Sequence, residues 1–402
     1  MMMEEVKIYS FEDTSFPVVA TTFQGLEGVL AEEVLRLGPK DVAEQSRAVT
    51  FTGNRRLLYA ANYHLRTALR ILRVVAECRA GNEDELYRGV GEVPWETYFS
   101  NHQRFLVEPV VHSPHFRNSM FVAQRVKDAV VDRFRDRTGM RPSVDRTNPD
   151  VRLNVLLSGN RCVLSMDSSG ESLHKRGYRV RQGVAVLNEV LAAGMILLTG
   201  WRGDTPFVDP MCGSATLPVE AAMIALDIPP GFMRSRYAFI KWKDYDATLY
   251  QTVRSMYTGP GNRHVAPILG GDRSAVAIRL ARLNVANAGL QDHIKLRIMP
   301  LSELSPPSGN PPGVLVTDPP YGKRMRPADI EQIYRSIGTS LKKNFGGYDA
   351  WILSSNRHAF KWIGLKPAAT YELNHGGLRV TYRKFPVRDN KHPGKSAVRQ
   401  KV

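Results

Sequence analysis

The chain has 402 residues, 43 % of them apolar and 23 % charged, which supplies a sizeable core and a soft prior of two to three domains. Lys plus Arg number 55 against 39 Asp plus Glu, a net charge of +16, so the natural partners are polyanions: RNA, DNA or an acidic membrane face. Three widely spaced cysteines, the lack of any run near the roughly 20 apolar residues of a membrane span, and an acidic start without an apolar stretch argue against disulfide-rich, metal-finger, membrane and secreted classes and for a reducing, cytoplasmic setting.

The elements follow in chain order. Phe16 to Thr22 reads as a strand, and Leu26, Leu30, Val34 and Leu35 as one face of a helix. Ala48 to Phe51 is a second strand, and Leu57, Leu58, Ala61, Leu65 and Leu69 mark a second helix. This order predicts a small α+β unit over residues 1–75. A second unit is expected over 76–168. It holds a strand at Phe105–Val111 and a helix over Met120–Phe134 with Val122, Val126, Val130 and Phe134 inward. Two alternating strands follow, around Val151–Val155 and Cys162–Met166.

Residues 169–200 read as a basic linker followed by a helix from about Leu187 to Leu198. From 201 to 387 strand and helix patterns alternate, the signature of a parallel sheet covered on both faces. Phe207–Val208, Ile268–Leu269, Ile294–Ile298 and Val314–Thr317 are its strands; Thr216–Leu226 and a segment with Val276, Leu280 and Leu283 are helices. Residues 388–402 lack periodicity and are expected to be a disordered basic tail.

Ligands of open parallel sheets bind beyond the carboxyl ends of the strands. Three segments sit at such ends. Asp209-Pro210-Met211-Cys212-Gly213-Ser214-Ala215-Thr216 places an acid at a strand tip, then a tight small-residue turn, then a helix N-terminus with free N–H groups. Gly271-Asp272 offers a carboxylate that can accept from a ribose diol. Taken singly, each reads equally well as an ordinary capped turn. The third segment, Asp318-Pro319-Pro320-Tyr321-Gly322, is more informative. Two prolines stiffen it. Asp318 and the Pro319 carbonyl make a rigid double acceptor, and Tyr321 offers a face for stacking. The target it suits is a planar group bearing an NH₂, such as a nucleobase amine.

The D-P-P-Y run resembles that of S-adenosylmethionine-dependent amino-methyltransferases. DPMCGSATLPVEAA resembles their cofactor loop and Gly270-Gly271-Asp272 their ribose-binding acid. Upstream, FVAQRVKDAVVD (121–132), GMRPSVD (139–145) and SGESLHKRGYR (169–179) are similar to bacterial THUMP-domain RNA methyltransferases, among them the ribosomal guanine-N2 enzymes. The resemblance implies a Rossmann-like class I methyltransferase domain at the C-terminus, an α/β fold, preceded by ferredoxin-like and THUMP α+β modules. It implies N2-methylation of a guanine in structured RNA, 23S rRNA first and tRNA second, with S-adenosylmethionine as cofactor and no metal, membrane or obligate protein partner. Relatives that carry a second methyltransferase half are longer than this chain.

Carried onto these residues, Asp318, Pro319, Pro320 and Tyr321 form the catalytic set. Asp209, Met211, Cys212, Gly213, Ser214, Thr216, Asp272, Leu301 and Asp318 hold the cofactor. Lys127, Arg141, Lys175, Arg176, Arg179 and Arg181 face RNA. The linker cations read equally as a solvated face. Arg234, Arg236, Tyr237, Phe239 and Trp242 suit either a flap packed on a core or a wall of the base pocket.

Departures from the family pattern are Ala215, where the loop usually has Gly and which requires a negative φ, Met299-Pro300 in place of an acid that holds adenine, and Val186 in place of a proline. Glu303 or the backbone of Leu301 and Ser302 can substitute for that acid. Cytosine C5 chemistry is disfavoured, because no Pro-Cys dipeptide occurs. Two other readings use the same residues: a DNA adenine-N6 methyltransferase, and a non-catalytic RNA-binding assembly factor.

Overall fold

The structure is a computed structural model and describes residues 6–180, 186–257, 259, 264–320 and 326–389. Its strands are β1 Lys7–Ile8, β2 Phe16–Thr21, β3 Lys40–Gln45, β4 Ala48–Gly53, β5 Arg70–Arg79, β6 Phe105–His112, β7 Val151–Ser158, β8 Arg161–Asp167, β9 Phe207–Asp209, β10 Ile268–Asp272, β11 Ile294–Ile298, β12 Val314–Thr317, β13 Asp349–Ser354, β14 Ala369–His375 and β15 Leu378–Pro386. Its helices are α1 Glu27–Arg36, α2 Arg55–His64, α3 Glu83–Glu92, α4 Trp95–Tyr98, α5 Ser119–Thr138, α6 Glu189–Leu198, α7 Thr216–Ala225, α8 Ala247–Ser255, α9 Ala275–Asn287 and α10 Pro327–Asn344.

Two compact units divide the chain. The first takes Met1–Thr22, Leu30–Lys175 and Pro229–Thr258; the second takes Phe23–Val29, Arg176–Ile228 and Gly259–Val402. The segment from Pro229, expected within the C-terminal domain, thus clusters with the first unit. Phe239 carries it into that core, stacking on Tyr59 at 4.5 Å and on Tyr237 at 5.1 Å. Of the two readings given to these aromatics, the packed flap is the one found.

The first unit holds one eight-stranded sheet in the order β3-β4-β2-β5-β8-β7-β6, with β1 on β5. All its pairings are antiparallel except β6 with β7. The expected boundary at 75/76 falls inside β5, whose flanks are β2 and β8. This ten-residue strand, RILRVVAECR, is buried on both faces, so it lacks the alternation that marks a half-buried strand. Strand β3 is an exposed polar edge without an apolar signal.

In α1, Leu30 and Val34 are buried as expected, but Leu35 is 57 % exposed. Helix α5 buries Val122, Val126, Val130 and Phe134 and ends at Gly139 in the left-handed region.

The second unit holds a seven-stranded sheet in the order β11-β10-β9-β12-β13-β15-β14. The first five are parallel, and β15 runs antiparallel to both its neighbours. The order reverses direction at β9, between β10 and β12, which is the switch point where such sheets bind ligands. The expected Rossmann-like architecture is therefore present. Helix α9 sits where the pattern placed it but turned about its axis: Ile278, Ala281, Asn284 and Val285 are buried, whereas Val276 is 74 % and Leu283 51 % exposed. Among the described residues no helix is long and apolar enough to cross a membrane.

Candidate functional site

Parallel strands end on the same side, so β9, β10 and β12 deliver Asp209, Asp272 and Asp318 to one edge of the sheet. Asp209 is the deepest, 2 % exposed. Its Oδ1 accepts from the Thr317 hydroxyl at 3.1 Å and from the Met211 N–H at 3.2 Å. Burial pushes its carboxyl up to about 8; the negative charges of Asp318 and Asp272 act in the same direction, and its two hydrogen bonds oppose them.

Asp272 organises the loop from the neighbouring strand. Its Oδ2 accepts from the Gly213 N–H at 3.1 Å and its Oδ1 from the Ser274 N–H at 2.8 Å. Ser274 in turn caps α9. The Cys212 N–H donates to the Gly271 carbonyl at 2.9 Å, which lays the loop flat against β10. Gly270 permits this close approach: a Cβ would lie 2.8 Å from Leu296 and 3.2 Å from the Cys212 sulfur, and the leucine side chain would have to shift. The Cys212 thiol is pushed strongly upward by burial, aided by Asp209 and Asp272, so it stays protonated and is no nucleophile.

The turn into α7 differs from expectation. Ala215 adopts φ 66° and ψ 31°, the left-handed region, so the negative φ required of it is corrected by the structure. Gly213 is also left-handed at φ 51°, and no heavy atom beyond its two chain neighbours stands within 4 Å of where its Cβ would be. Two left-handed residues in three fold the chain tightly and turn the start of α7 toward the strand tips. For Ala215 this costs roughly 1–2 kcal/mol relative to Gly.

Asp318 follows β12 directly and is half-buried; Pro319 is buried and Pro320 exposed. Tyr321 lies outside the described residues, as does Arg181. Leu301 opens a short 3-10 turn after β11 and is buried in the apolar cluster against which Met211 and Met299 pack.

The residues assigned to RNA separate into two groups. Lys127 is partly exposed beside Asp128 on α5 and lines a groove of about 280 Å³ along the outer side of β6, where Val144 bridges Phe105, together with Met120 and Arg146. Arg141 is exposed in the loop that follows α5. Lys175 is exposed and pairs with Glu171 at 2.8 Å.

Arg176 and Arg179 correct the expectation. Arg176 is 1 % exposed and pairs with the fully buried Glu220 of α7 at 3.4 Å, where the Tyr178 hydroxyl also donates at 3.1 Å. Arg179 pairs with Glu189 at 2.8 Å. Both arginines point into the second unit, because unpaired carboxylates on α6 and α7 could not be buried without them.

Sequence reasoning did not find Thr317, Asn284 or Glu220. Only Asn284 left a trace, as a polar residue on the stripe that carries Ala281. Asn284 Nδ2 donates to the Ser214 carbonyl at 2.9 Å, and its Oδ1 accepts from the Val180 N–H at 3.0 Å.

Comparison with known proteins identifies three regions. Residues 17–72 match an RlmL ferredoxin-like domain, 80–167 a THUMP domain and 176–384 an RMKL-like methyltransferase domain. A Synechocystis protein named "Putative RNA methyltransferase slr0064" is 36 % identical over 380 residues, 94 % of this chain and 98 % of its own. The ribosomal RNA large subunit methyltransferase K/L of Syntrophotalea carbinolica is 37 % identical over 396 residues, 96 % of this chain, which spans 55 % of that protein. Among solved structures, SMU.472 complexed with SAH superposes with a TM-score of 0.83 at 30 % identity, covering 94 % of this chain and 99 % of that one. A Listeria monocytogenes chain described as a predicted N6-adenine-specific DNA methylase gives 0.82 at 30 % identity, covering 93 % and 96 %. With three carboxylates on adjacent strand tips, a glycine loop between them and these likenesses along nearly its whole length, the chain belongs to the RMKL-like methyltransferase family, with ferredoxin-like and THUMP domains ahead of its catalytic domain.

Proposed function

We propose that this protein transfers a methyl group from S-adenosylmethionine to the exocyclic N2 of a guanine in structured RNA, most plainly 23S rRNA, in the cytoplasm. The observation that carries this reading is the position of Asp318: it leaves the sheet next to Asp209 and beside the loop that Asp272 holds. The names of the relatives, RNA and rRNA methyltransferases, and the SAH held by SMU.472 support donor and substrate class.

The residues present fit such a donor. Gly213 leaves an open cradle that a Cβ would fill. The half-buried Asp272 still has acceptor capacity for a ribose diol after its two backbone bonds. The apolar Leu301 and Met299 suit a purine face. When bound, the donor supplies an activated sulfonium methyl.

The chain supplies position and proton acceptance. A guanine amine is conjugated with its ring and a poor nucleophile. The Asp318 carboxylate and the Pro319 carbonyl accept its two hydrogens and favour a pyramidal nitrogen whose lone pair is free. Held in line, the amine reacts mainly because orientation has already been imposed. The proton leaves through Asp318.

On the substrate side, Lys127, Arg141 and Lys175 contact phosphates, while Arg176 and Arg179 do not. The description of the Listeria chain favours one second reading, adenine-N6 transfer on DNA. Methyl incorporation into ribosomal RNA, tRNA and duplex DNA by the purified protein separates the readings. Mass mapping of N2-methylguanine in ribosomal RNA, with and without the protein, tests the first. Transfer to duplex DNA alone would overturn it.

A further inference from the structure

Arg179, one of the cations assigned to RNA, instead grips the turn that ends the cofactor loop. The Arg179 side chain is 11 % exposed. Its Nε donates to Glu189 at 2.8 Å and its Nη2 to the Leu187 carbonyl at 3.2 Å, which fixes the guanidinium against the start of α6. The other edge of the fork reaches the loop: Nη2 donates to Thr216 Oγ1 at 3.0 Å and Nη1 to Ser214 Oγ at 3.3 Å.

Ser214 and Thr216 are the two neighbours of Ala215, the strained left-handed residue. Asn284 closes the same turn from the far side, holding the Ser214 carbonyl and the Val180 N–H. The segment that carries Arg179 is itself tied down, since Asn287 Nδ2 donates to the Tyr178 carbonyl at 2.8 Å. An alanine in the left-handed region persists only where its surroundings over-determine it. Here the over-determination is a planar fork spanning the flanking hydroxyls, a geometry that lysine cannot reproduce.

We propose that Arg179 is a positioning residue for donor binding: it latches the Ser214-Ala215-Thr216 turn in the left-handed form that presents the cofactor loop. This rests on the donor reading above. Without the latch the turn relaxes toward negative φ, and binding must first restore it. The affinity of the competent loop is then reduced by the fraction of molecules that hold it. Glycine at 215 carries no such penalty, so the loss depends on the alanine.

The test is calorimetry with S-adenosylhomocysteine on the full chain, with RNA affinity and thermal unfolding measured alongside. Binding by the wild type checks the donor reading; its absence would sink that reading and leave the latch a purely structural contact. Arg179→Lys, which keeps a cation beside Glu189, is expected to weaken S-adenosylhomocysteine about tenfold and leave RNA affinity unchanged. Adding Ala215→Gly to it should recover most of that loss, while Ala215→Gly alone changes the affinity less than twofold. Should Arg179→Lys fail to fold, Arg179→Gln with Glu189→Gln removes the fork and its counter-charge together and should show the same loss and rescue. Unchanged affinity in Arg179→Lys, or a loss that Ala215→Gly does not relieve, overturns the proposal. So does a loss confined to RNA.

Discussion

Thr317 donates its hydroxyl to Asp209 Oδ1 at 3.1 Å, tying the tip of β12 to the tip of β9 across the point where the strand order reverses. Asp318 is the next residue, so a hydrogen bond between side chains outside the D-P-P-Y run sets where that run begins. The same bond holds a buried carboxyl whose charge is disfavoured.

Asp209 therefore makes stability depend on pH. Its folded pKa, about 8, lies above the ordinary 3.8. The native state holds a proton that the unfolded chain has released, so this group stabilises the fold at low pH and that stability is lost as pH rises from about 4 toward 8. Asp209→Asn keeps an acceptor for Thr317 and cannot ionise. In ligand-free protein the melting temperature of the variant, relative to wild type, should climb between pH 4 and pH 8. A constant offset across that range would show that Asp209 does not titrate there.

Asp318→Ala should lower methyl transfer by at least about 10²-fold in kcat and weaken S-adenosylhomocysteine far less than that, because Asp272 holds the loop without it. Single-turnover transfer and calorimetry on the same preparation measure both. Retained turnover would remove Asp318 from the chemistry.

Gly213→Ala separates space from strain. Apart from its two chain neighbours, its Cβ meets no protein atom within 4 Å, so the left-handed φ is what opposes it, at roughly 1–2 kcal/mol. If the cradle receives the donor, affinity for S-adenosylhomocysteine should fall by more than the stability loss accounts for. Equal small losses in melting and binding would argue that the space is not the donor's.

Glu220→Gln leaves the Arg176 guanidinium buried without its counter-charge. Breaking a buried pair from one side costs about 3–5 kcal/mol, read as a large drop in urea midpoint. Lys127→Ala and Arg141→Ala should instead leave the midpoint nearly unchanged and flatten the salt dependence of RNA binding, by a slope of up to about 0.9 each. Slopes identical to wild type would take both cations out of the RNA interface.

Much of the second unit was readable from local signals. An apolar run bounded by Pro and Gly marks β12, and an acid followed by small residues marks the loop after β9. Period and turn chemistry are short-range properties, written in neighbouring residues. The first unit was less readable at β5, where burial on both faces removes alternation, and at β3, a polar edge strand held only by its ladder to β4. In α9 the spacing of Val276, Leu280 and Leu283 matched a helix, yet the other side faces the core. Periodicity identifies a helix but does not tell which stripe the sheet will cover.

By itself the sequence determined the chemistry on offer: three strand-end acids, a stiff proline corner, a glycine turn and a large positive charge. Tertiary structure alone decided what the cations do. Lys175, Arg176 and Arg179 lie within five residues of one another and are indistinguishable by composition. Lys175 stays at the surface because its partner Glu171 is exposed too, whereas Arg176 and Arg179 turn inward to meet carboxylates that helix packing has already buried. The cost of leaving Glu220 and Glu189 uncompensated is a property of the packed fold, so no local reading of the run could have assigned it.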